Sequence, residues 1–365
     1  MDNEKKVVAL LAGYQLRPNI RTVLHNLGRL LDSEFELHLI MGPESLSEEF
    51  RSIYKTFRFD ALALDRAGLG FAFKAMRQYL LSNRPDAIMN VSKPFPLGLA
   101  VVSLGAWYDV PTILRVTGDY FAESTIGSLL QQQKRRVIHG MLLNKAYQQS
   151  DIALPVGEKL AQKLVRNGFD SDQVEALPQP FDPEPFSPIS ASEKRRQKDK
   201  CGLEPDRQTI LFVGRLTWGK GADRVFDIAE EVQNKCSHTF QFCLVGEGKY
   251  KNKFRNRFSR KQAYCTGSVP RRKIHRYFQV ADLLIHPSRR DALPNVILEA
   301  LAAQVPVMAA PVGEITNVVT MLYEDPDEYV GRILKGDWVQ DDLPWGLGSW
   351  DKQSGKYISA IRRVL

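Results

Sequence analysis

Two cations in a glycine-rich segment are the first residues whose types and spacing predict chemistry. Residues 214–221, GRLTWGKG, follow an apolar run at 210–213 and precede a helical pattern that begins at Ala222. Glycines let a loop approach a ligand closely, and the N-terminus of a following helix offers free N–H groups to an anion. Arg215 and Lys220 therefore flank a predicted phosphate site. The segment does not match the P-loop pattern, so the signal for a phosphate site is not specific. A surface turn with two solvated cations fits the same residues.

Two carboxylates, Asp291 and Glu299, stand with seven residues between them in the segment HPSRRDALPNVILEALAAQVPV, residues 286–307. Pro294 is well placed to start a helix, and at about 3.6 residues per turn Glu299 comes about a turn and a half later. Both carboxylates can therefore face one cleft. The alternative is that Asp291 caps the helix and Glu299 is an exposed helical acid. Apolar neighbours of Glu299 weaken that alternative, because a buried acid needs a partner.

The elements that must position these residues alternate along nearly the whole chain. Short apolar runs are followed by longer amphipathic ones, a pattern typical of parallel sheets covered by helices, so the predicted class is α/β. The predicted strands are residues 6–12, 35–40, 59–64, 87–91, 112–116 and 152–155, and then 209–213, 240–245, 264–267, 283–286 and 305–309. Between the two series, residues 177–190 contain five prolines, which exclude a helix interior and a central strand. Two sheets joined by this linker are predicted.

Composition and charge set the range of partners. The 365 residues are 44% hydrophobic, with 50 Lys and Arg against 42 Asp and Glu, which gives a formal charge of +8. That length predicts two or three domains, and the charge suits an anionic partner such as a nucleotide, a nucleic acid or an acidic membrane surface. The four cysteines and six histidines show no disulfide-frame or metal-ligating spacing, so we expect reduced thiols and no metal site.

Signals for membranes and targeting are sparse. The most apolar stretch, residues 95–107, is shorter than the about 20 residues of a bilayer span, and no secretory leader pattern is visible, so a cytoplasmic protein is expected. From Leu129 to Tyr147 the chain combines basic with apolar residues, as a basic amphipathic helix does. A solvated helix over a core stripe explains this pattern, and so does peripheral binding to the anionic inner face of a membrane.

The order and spacing of four motifs resemble the donor domain of retaining GT-B glycosyltransferases of family 4. The motifs are residues 214–221, 246–248, 266–269 and 287–299. The linker resembles the family's interdomain segment, and residues 349–365 resemble its closing helix. The resemblance implies two Rossmann-like, doubly wound parallel-sheet domains that face a cleft. Residues 1–182 would form the acceptor domain and residues 183–348 the donor domain, with the C-terminal helix crossing back onto the first domain.

The resemblance also implies a reaction: transfer of a sugar, with retention of configuration, from a UDP- or GDP-sugar to a hydroxyl of a glycan, a lipid-linked glycan or a lipid. Such a step belongs to polysaccharide, glycolipid or glycoconjugate synthesis. By position, Arg215 and Lys220 would neutralise the diphosphate in place of a divalent metal, so no cofactor is expected. Glu299 would hold the ribose hydroxyls, and Asp291 would lie near the donor sugar. The remaining positions placed against the donor are Gly13, Gly214, Gly246, Val269, Ala292, Leu293, Pro294 and Asn295.

Asp119 is the candidate catalytic residue of the first domain. The sequence ILRVTGDYFAE resembles a subgroup of the family in which this strand ends in Gly-Asp-Tyr. Asp119 then lies at the carboxyl end of a strand, where α/β proteins place ligand groups, although an aspartate in such a turn is also a common cap. Tyr120 and Arg115 are weaker candidates. Asp291 stands where the family usually has glutamate, and Ala292 stands where it usually has glycine. These two differences leave the identity of the donor sugar undetermined.

Two other functions stay open at the level of the sequence. A nucleotide-sugar epimerase or a phosphorylase on the same architecture would share the donor motifs, and an epimerase would need no acceptor. A non-catalytic nucleic-acid-binding protein would fit the charge of +8. The basic residues are dispersed, however, and no recognised RNA- or DNA-binding module occurs, so we expect no specific nucleic-acid partner.

Overall fold

Two parallel β-sheets of six strands each carry the fold. The structure is a computed structural model that describes residues 4–60, 68–92, 94–121 and 142–365. The chain divides into one unit formed by Met1–Phe181 with Ser349–Leu365 and a second unit formed by Asp182–Gly348. The predicted α/β class with two doubly wound parallel sheets is confirmed.

The first unit contains strands β1 to β6. They are β1 Val7–Leu11, β2 Glu36–Met41, β3 Tyr54–Arg58, β4 Ala87–Asn90, β5 Thr112–Val116 and β6 Ile152–Pro155. Their order across the sheet is β3-β2-β1-β4-β5-β6, and each neighbouring pair is parallel. The strand order changes direction between the neighbours β1 and β4. In sheets of this kind, ligands bind at such a switch point, beyond the carboxyl ends of the strands.

Helices cover both faces of the first sheet. They are α1 Pro18–Leu31, α2 Glu48–Ile53, α3 Leu69–Ser82, α4 Leu99–Tyr108, α5 Asn144–Tyr147 and α6 Glu158–Arg166. Because of this cover, β4, β5 and β6 are buried along their whole length. Helix α1 instead buries a stripe at helical spacing, which includes Val23, Leu27 and Leu30, and leaves its other face to solvent.

The third strand is not where the sequence predicts it. The structure has β3 at Tyr54–Arg58, residues 59 and 60 are not in a strand, and 61–64 fall outside the described residues. Strand β3 lies at the edge of the sheet and is only partly buried, so it lacks the continuous apolar run that marks a central strand. The apolar letters ALAL at 61–64 drew the prediction toward them.

The second unit repeats the same path. Its strands are β7 Gln208–Val213, β8 Phe240–Val245, β9 Ala263–Gly267, β10 Leu283–His286, β11 Val307–Ala309 and β12 Met321–Leu322. Its helices are α7 Ala191–Lys200, α8 Ala222–Cys236, α9 Lys251–Arg257, α10 Arg271–Val280, α11 Asn295–Ala302 and α12 Pro326–Lys335. The strand order is β12-β11-β10-β7-β8-β9, so the switch point lies between β7 and β10. Strand β12, with two residues, was not predicted.

The last helix, α13 Trp350–Arg362, belongs to the first unit. Tyr357, Ala360 and Ile361 are buried in the same core cluster as the apolar residues of α1. The hydroxyl of Tyr357 donates to the carbonyl of Pro178 over 2.7 Å. Helix α13 is therefore anchored by apolar burial and by a buried hydrogen bond.

Candidate functional site

The loops that follow β7 and β10 meet at the switch point of the second sheet. Lys220 in the first loop donates from Nζ to Oδ1 of Asp291 in the second over 2.5 Å. The other carboxylate oxygen of Asp291, Oδ2, lies 2.8 Å from Nε2 of His286, the last residue of β10. Gly221 has a φ of +75°, and a side chain there would collide with the carbonyl of Pro287. Glycine is therefore needed for this close approach.

Asp291 is a carboxylate held from two sides. Burial raises its pKa, but the hydrogen bond and charge of His286 and the charge of Lys220 outweigh burial and lower the pKa to about 2. The carboxylate is therefore ionised at physiological pH. Its partners are these side chains and not the amides of α11, which begins after Pro294. The interpretation of Asp291 as a helix cap is wrong.

A second pairing, which the sequence did not predict, holds the same two loops. Arg289 forms a two-pronged ion pair with Asp223 in the first turn of α8, at 2.8 and 2.7 Å. Arg289 also donates to the carbonyl of Trp218 over 2.7 Å, and its guanidinium carbon lies 4.2 Å from the centre of the Trp218 indole ring. A bidentate pair adds geometric constraint as well as energy. Arg289 therefore fixes the glycine-rich loop that carries Lys220.

Glu299 is completely buried in α11. Its Oε1 accepts a hydrogen bond from Nη1 of Arg271 at the start of α10, and its Oε2 has no hydrogen-bond partner within the described part of the chain. Burial raises the pKa of Glu299, and Arg271 opposes that rise. The alternative of an exposed helical acid is thus wrong. A buried oxygen without a donor costs free energy, so the carboxylate of Glu299 is only half satisfied by the described residues.

Arg215 lies at the other end of the glycine-rich loop. It is exposed, and among the residues that the structure describes its guanidinium has no partner. The N–H of Gly214 donates to Val245 over 2.9 Å, and the N–H of Gly246 donates to Gly267 over 2.9 Å. Gly246 has a φ of +142°, and a side chain there would collide with the carbonyl of Gly214. The loops after β7 and β8 are therefore closely joined beside Arg215.

The remaining donor positions predicted in the second unit lie at two helix starts. Ala292, Leu293, Pro294 and Asn295 form the partly buried turn that enters α11. The carbonyl of Ala292 accepts from the N–H of Glu314 over 2.7 Å. Gly313, with a φ of +57°, leaves room for that turn, because a side chain there would collide with the carbonyls of Asp291 and Ala292. Val269 is partly buried between β9 and α10.

The predicted residues of the first unit lie beyond the carboxyl ends of its strands. Gly13 follows β1 and lines a cavity of about 710 Å³. Asp119 follows β5, and its Oδ2 accepts from Nζ of Lys163 over 2.6 Å while 34% of its side chain is exposed. Thr117, two residues earlier, lines the cavity that Gly13 lines. Asp119 is thus a partly exposed, paired carboxylate beyond the carboxyl end of β5, where sheets of this kind commonly bind ligands.

Arg115 and Tyr120, the weaker candidates, are buried within the first unit. Arg115 is 2% exposed and donates from Nη1 to the carbonyl of Val91 over 2.6 Å. Tyr120 donates from its hydroxyl to Oδ1 of Asn144 over 2.8 Å. These hydrogen bonds satisfy buried polar groups, so both side chains support the unit and are not open to a substrate.

Arg271 and His286 contact the two predicted carboxylates, and neither contact is visible in the sequence. Arg271 is the first of three consecutive basic residues that open α10, where the helix dipole disfavours cations. That unfavourable placement was a readable signal for a nearby anion. His286 is buried at the end of β10, and its Nε2 contacts Asp291.

Metal and membrane features are limited in the described residues. No group of three or more His, Cys, Asp or Glu side chains suited to a metal ion occurs there. No helix in residues 4–60, 68–92, 94–121 or 142–365 combines the length and apolar character needed to cross a membrane. The predicted basic helix from Leu129 to Tyr147 lies outside the described residues up to residue 141, and only its last six residues can be placed.

Solved structures establish which class of fold this is. Anabaena Alr3699/HepE, solved in complex with UDP-glucose, is similar over 98% of this chain and 95% of its own, with a TM-score of 0.67 at 15% identity. WaaG, a glycosyltransferase involved in lipopolysaccharide biosynthesis, is similar over 98% of both chains, with a TM-score of 0.67 at 14% identity. The two doubly wound sheets are those of a GT-B protein.

Two family models then divide the chain between them. Glycosyltransferase Family 4 matches residues 20–185, and Glycosyl transferases group 1 matches residues 207–335. The chain belongs to glycosyltransferase family 4. Sulfoquinovosyl transferase SQD2 of Arabidopsis thaliana is 24% identical over 262 residues, which cover 71% of this chain and 48% of that protein. The chain spans about half the length of the curated relatives that it matches first.

Proposed function

We propose that this chain transfers a sugar from a nucleotide sugar to a hydroxyl group of an acceptor, with retention at the anomeric carbon. The bond from that carbon to the leaving diphosphate breaks, and a bond to the acceptor oxygen forms on the same face. The hydroxyl proton passes to the diphosphate. Family membership supports the transfer, retention rests on the resemblance of the motifs, and the acceptor is a glycan, a lipid-linked glycan or a lipid.

The unpartnered Oε2 of Glu299 is the observation that carries this proposal. A ribose presents two neighbouring hydroxyls that can donate to it, and hydrogen bonds to an ionised carboxylate are stronger than those to a neutral acceptor. Arg271 already holds Oε1, so the carboxylate is oriented before a nucleotide binds. In a purely structural ion pair, both carboxylate oxygens would be expected to have donors. One buried oxygen without a donor is better explained by a ligand that brings hydroxyl groups.

The glycine-rich loop supplies the other half of the proposed donor site. A diphosphate would bind Arg215 directly and would share Lys220 with Asp291. Negative charge grows on the diphosphate as the bond to the sugar breaks, so cations fixed beside it stabilise the transition state. In this proposal Arg215 and Lys220 stabilise the leaving group, and Asp291 orients Lys220 beside the donor sugar.

Nucleotide binding and product analysis test the proposal. The solved complex of Alr3699/HepE makes UDP the first nucleotide to examine, with GDP, ADP and CMP beside it in a thermal-shift screen. A ligand at 100 times its dissociation constant stabilises a protein by about 2.7 kcal/mol. We expect one nucleoside diphosphate to raise the unfolding temperature, and its sugar conjugate to yield a glycoside with the anomeric configuration of the donor. Reaction of the donor alone would identify an epimerase, and transfer to inorganic phosphate a phosphorylase.

Removal of divalent metal should leave activity intact. The proposed diphosphate site has two cations and the start of α8, and no acidic cluster that would bind magnesium occurs in the described residues. Initial rates measured with EDTA and after dialysis should therefore equal those of untreated protein. Loss of activity on chelation that returns with added magnesium or manganese would show that Arg215 and Lys220 do not replace a metal.

Replacing Asp119 with asparagine should lower turnover by about ten-fold or more without changing nucleotide affinity. Loss of one charge-assisted contact in the transition state costs at least about 1.5 kcal/mol. The measurement is the rate at saturating donor beside calorimetry with the nucleoside diphosphate. Asp86→Asn is the matched control. Asp86 pairs with Lys6 over 2.7 Å, and its side chain is about as exposed as that of Asp119, but it lies at the amino-terminal end of β4. Equal turnover in the two variants would reduce Asp119 to a partner of Lys163.

A further inference from the structure

The cavity in the first unit lies at the switch point of its sheet. Its walls come from the loop after β1, which includes Gly13, and from the segment after β4, which includes Ser92 and Phe95. Strands β1 and β4 are the neighbours between which the strand order changes direction. The volume of about 710 Å³ is within the range of small-molecule sites. The cavity therefore has the position and the size of a substrate site.

The walls of this cavity suit a sugar ring. Amide and hydroxyl groups line it from separate segments of the chain, where they can each bind a ring hydroxyl. These residues are Gln15, Asn19, Ser92, Thr117 and Gln179. The aromatic side chains of Tyr14 and Phe95 lie in the same lining and offer flat apolar surfaces. A few convergent polar groups among apolar ones are the usual composition of a specific small-molecule site.

One cation in this lining is available to a ligand. Arg17 is exposed at the cavity and has no partner in the part of the chain that the structure describes. Arg21, one helical turn later, is already paired with Glu44 over 2.8 Å and donates to the carbonyl of Leu16. The described lining residues include no carboxylate that could neutralise Arg17. The described part of the lining therefore carries one positive charge, which a neutral sugar would leave uncompensated.

We propose that this cavity binds the acceptor, and that Arg17 selects an acceptor sugar that carries an anionic group, a carboxylate or a phosphate. The inference rests on the proposed glycosyl transfer and names the chemical class of its second substrate. Arg17 forms paired hydrogen bonds with two oxygens of the anion, as a guanidinium does with carboxylates and phosphates. The amides and hydroxyls of the wall bind the ring hydroxyls and leave one of them free for the transfer.

Binding of three related sugars tests this inference. The probes are D-glucose, D-glucuronic acid and D-glucose 6-phosphate, titrated by saturation-transfer NMR into the wild-type chain and into Arg17→Gln. We expect at least one charged sugar to bind wild type about ten-fold more tightly than glucose, and this preference to disappear in Arg17→Gln. Which charged probe binds more tightly distinguishes a uronic acid from a sugar phosphate. Arg51→Gln is the control. Arg51 is also exposed, but it lies in α2, just before the amino-terminal end of β3, whereas the cavity lies beyond the carboxyl ends of the strands.

Three results would overturn the inference. The first is equal binding of charged and neutral sugars, or no binding of any probe at millimolar concentration. The second is a preference that survives in Arg17→Gln. The third is a loss of nucleoside diphosphate affinity in Arg17→Gln that matches the loss of sugar affinity, which would assign Arg17 to the donor. Calorimetry with UDP on the wild-type chain is run in parallel, so failure of the donor proposal appears as absent nucleotide binding and is separate from the sugar titrations.

Discussion

Lys220→Ala should weaken binding of the nucleoside diphosphate by about ten- to a hundred-fold. A charge-assisted hydrogen bond contributes about 1.5–3 kcal/mol, and 1.4 kcal/mol is a factor of about ten. The structure adds a second cost, because Asp291 loses a partner at 2.5 Å and keeps His286 as its remaining one among the described residues. A carboxylate that is only 14% exposed then faces the diphosphate without its compensating cation. The loss should therefore lie toward the upper end of the range.

A double-mutant cycle on Lys220 and Asp291 separates these two costs. Asp291→Asn alone frees Lys220 for phosphate, so diphosphate affinity should hold or rise while turnover falls. The double variant Lys220→Ala with Asp291→Asn should then bind more tightly than Lys220→Ala, because the uncompensated carboxylate is gone. Residues in direct contact couple in such cycles by about 0.5–3 kcal/mol. Calorimetry on the four proteins gives the coupling energy directly.

Lys235→Ala is the control for this cycle. Lys235 pairs with Glu231 over 2.7 Å at the last turn of α8, the helix that begins just after Lys220. At about 1.5 Å per residue it lies some 20 Å along the axis from the glycine-rich loop. Its replacement should leave nucleotide affinity unchanged. If Lys220→Ala and Lys235→Ala bind the nucleotide equally well, Lys220 is a structural partner of Asp291 and not part of a donor site.

The sequence located the loops of this site because their signals are local. Parallel strands buried on both faces are continuous apolar runs, so β8 and β10 begin and end at the predicted residues. Glycines and a proline mark the turns that follow, which placed Lys220 and Asp291 at strand ends before any contact between them was visible. The edge strand β3 was misplaced because partial burial weakens the same signal.

The pairings within the site could not be predicted, because they depend on contacts between distant segments. Lys220 and Asp291 are 71 positions apart, and Arg271 and Glu299 are 28 apart. A charge pattern records that cations and acids exist on two loops, but it does not record which carboxylate oxygen is satisfied. The orphaned Oε2 of Glu299 is such a case, since it becomes visible only after the position of Arg271 is known.

Glu299→Gln should weaken the nucleoside diphosphate by about ten- to a hundred-fold, through the ribose and not the phosphates. Glutamine keeps an oxygen that can accept from Arg271, so the local packing is retained, but the charge that strengthens hydrogen bonds from the ribose is lost. A contact made equally with bound donor and transition state changes affinity more than turnover at saturation. Calorimetry with the diphosphate and rates at saturating donor measure the two effects separately.

The unfolding temperature of the ligand-free Glu299→Gln variant provides a second test, independent of nucleotide binding. Burial raises the pKa of Glu299 above that of the unfolded chain, although Arg271 opposes it. A carboxyl whose pKa rises on folding destabilises the folded protein at every pH above its unfolded pKa, and the penalty disappears as pH falls below that value. Glu299→Gln removes the penalty. Near neutral pH the ligand-free variant should therefore unfold at the same temperature as wild type or higher, while the stabilisation by nucleotide is lost.

Asp282→Asn should show the opposite pattern. Burial raises the pKa of Asp282, but Lys194 and Lys198, at 2.7 and 2.8 Å, outweigh burial and lower it, so this carboxylate stabilises the fold above the pKa of the unfolded chain. Asp282 precedes β10 at the edge of the sheet opposite the donor loops. Its replacement should lower the unfolding temperature and leave nucleotide affinity unchanged. Glu299→Gln could instead unfold at a lower temperature and still bind the nucleotide as wild type does. That result would make Glu299 a structural partner of Arg271, because a carboxylate that binds a ligand contributes binding energy only when the ligand is present.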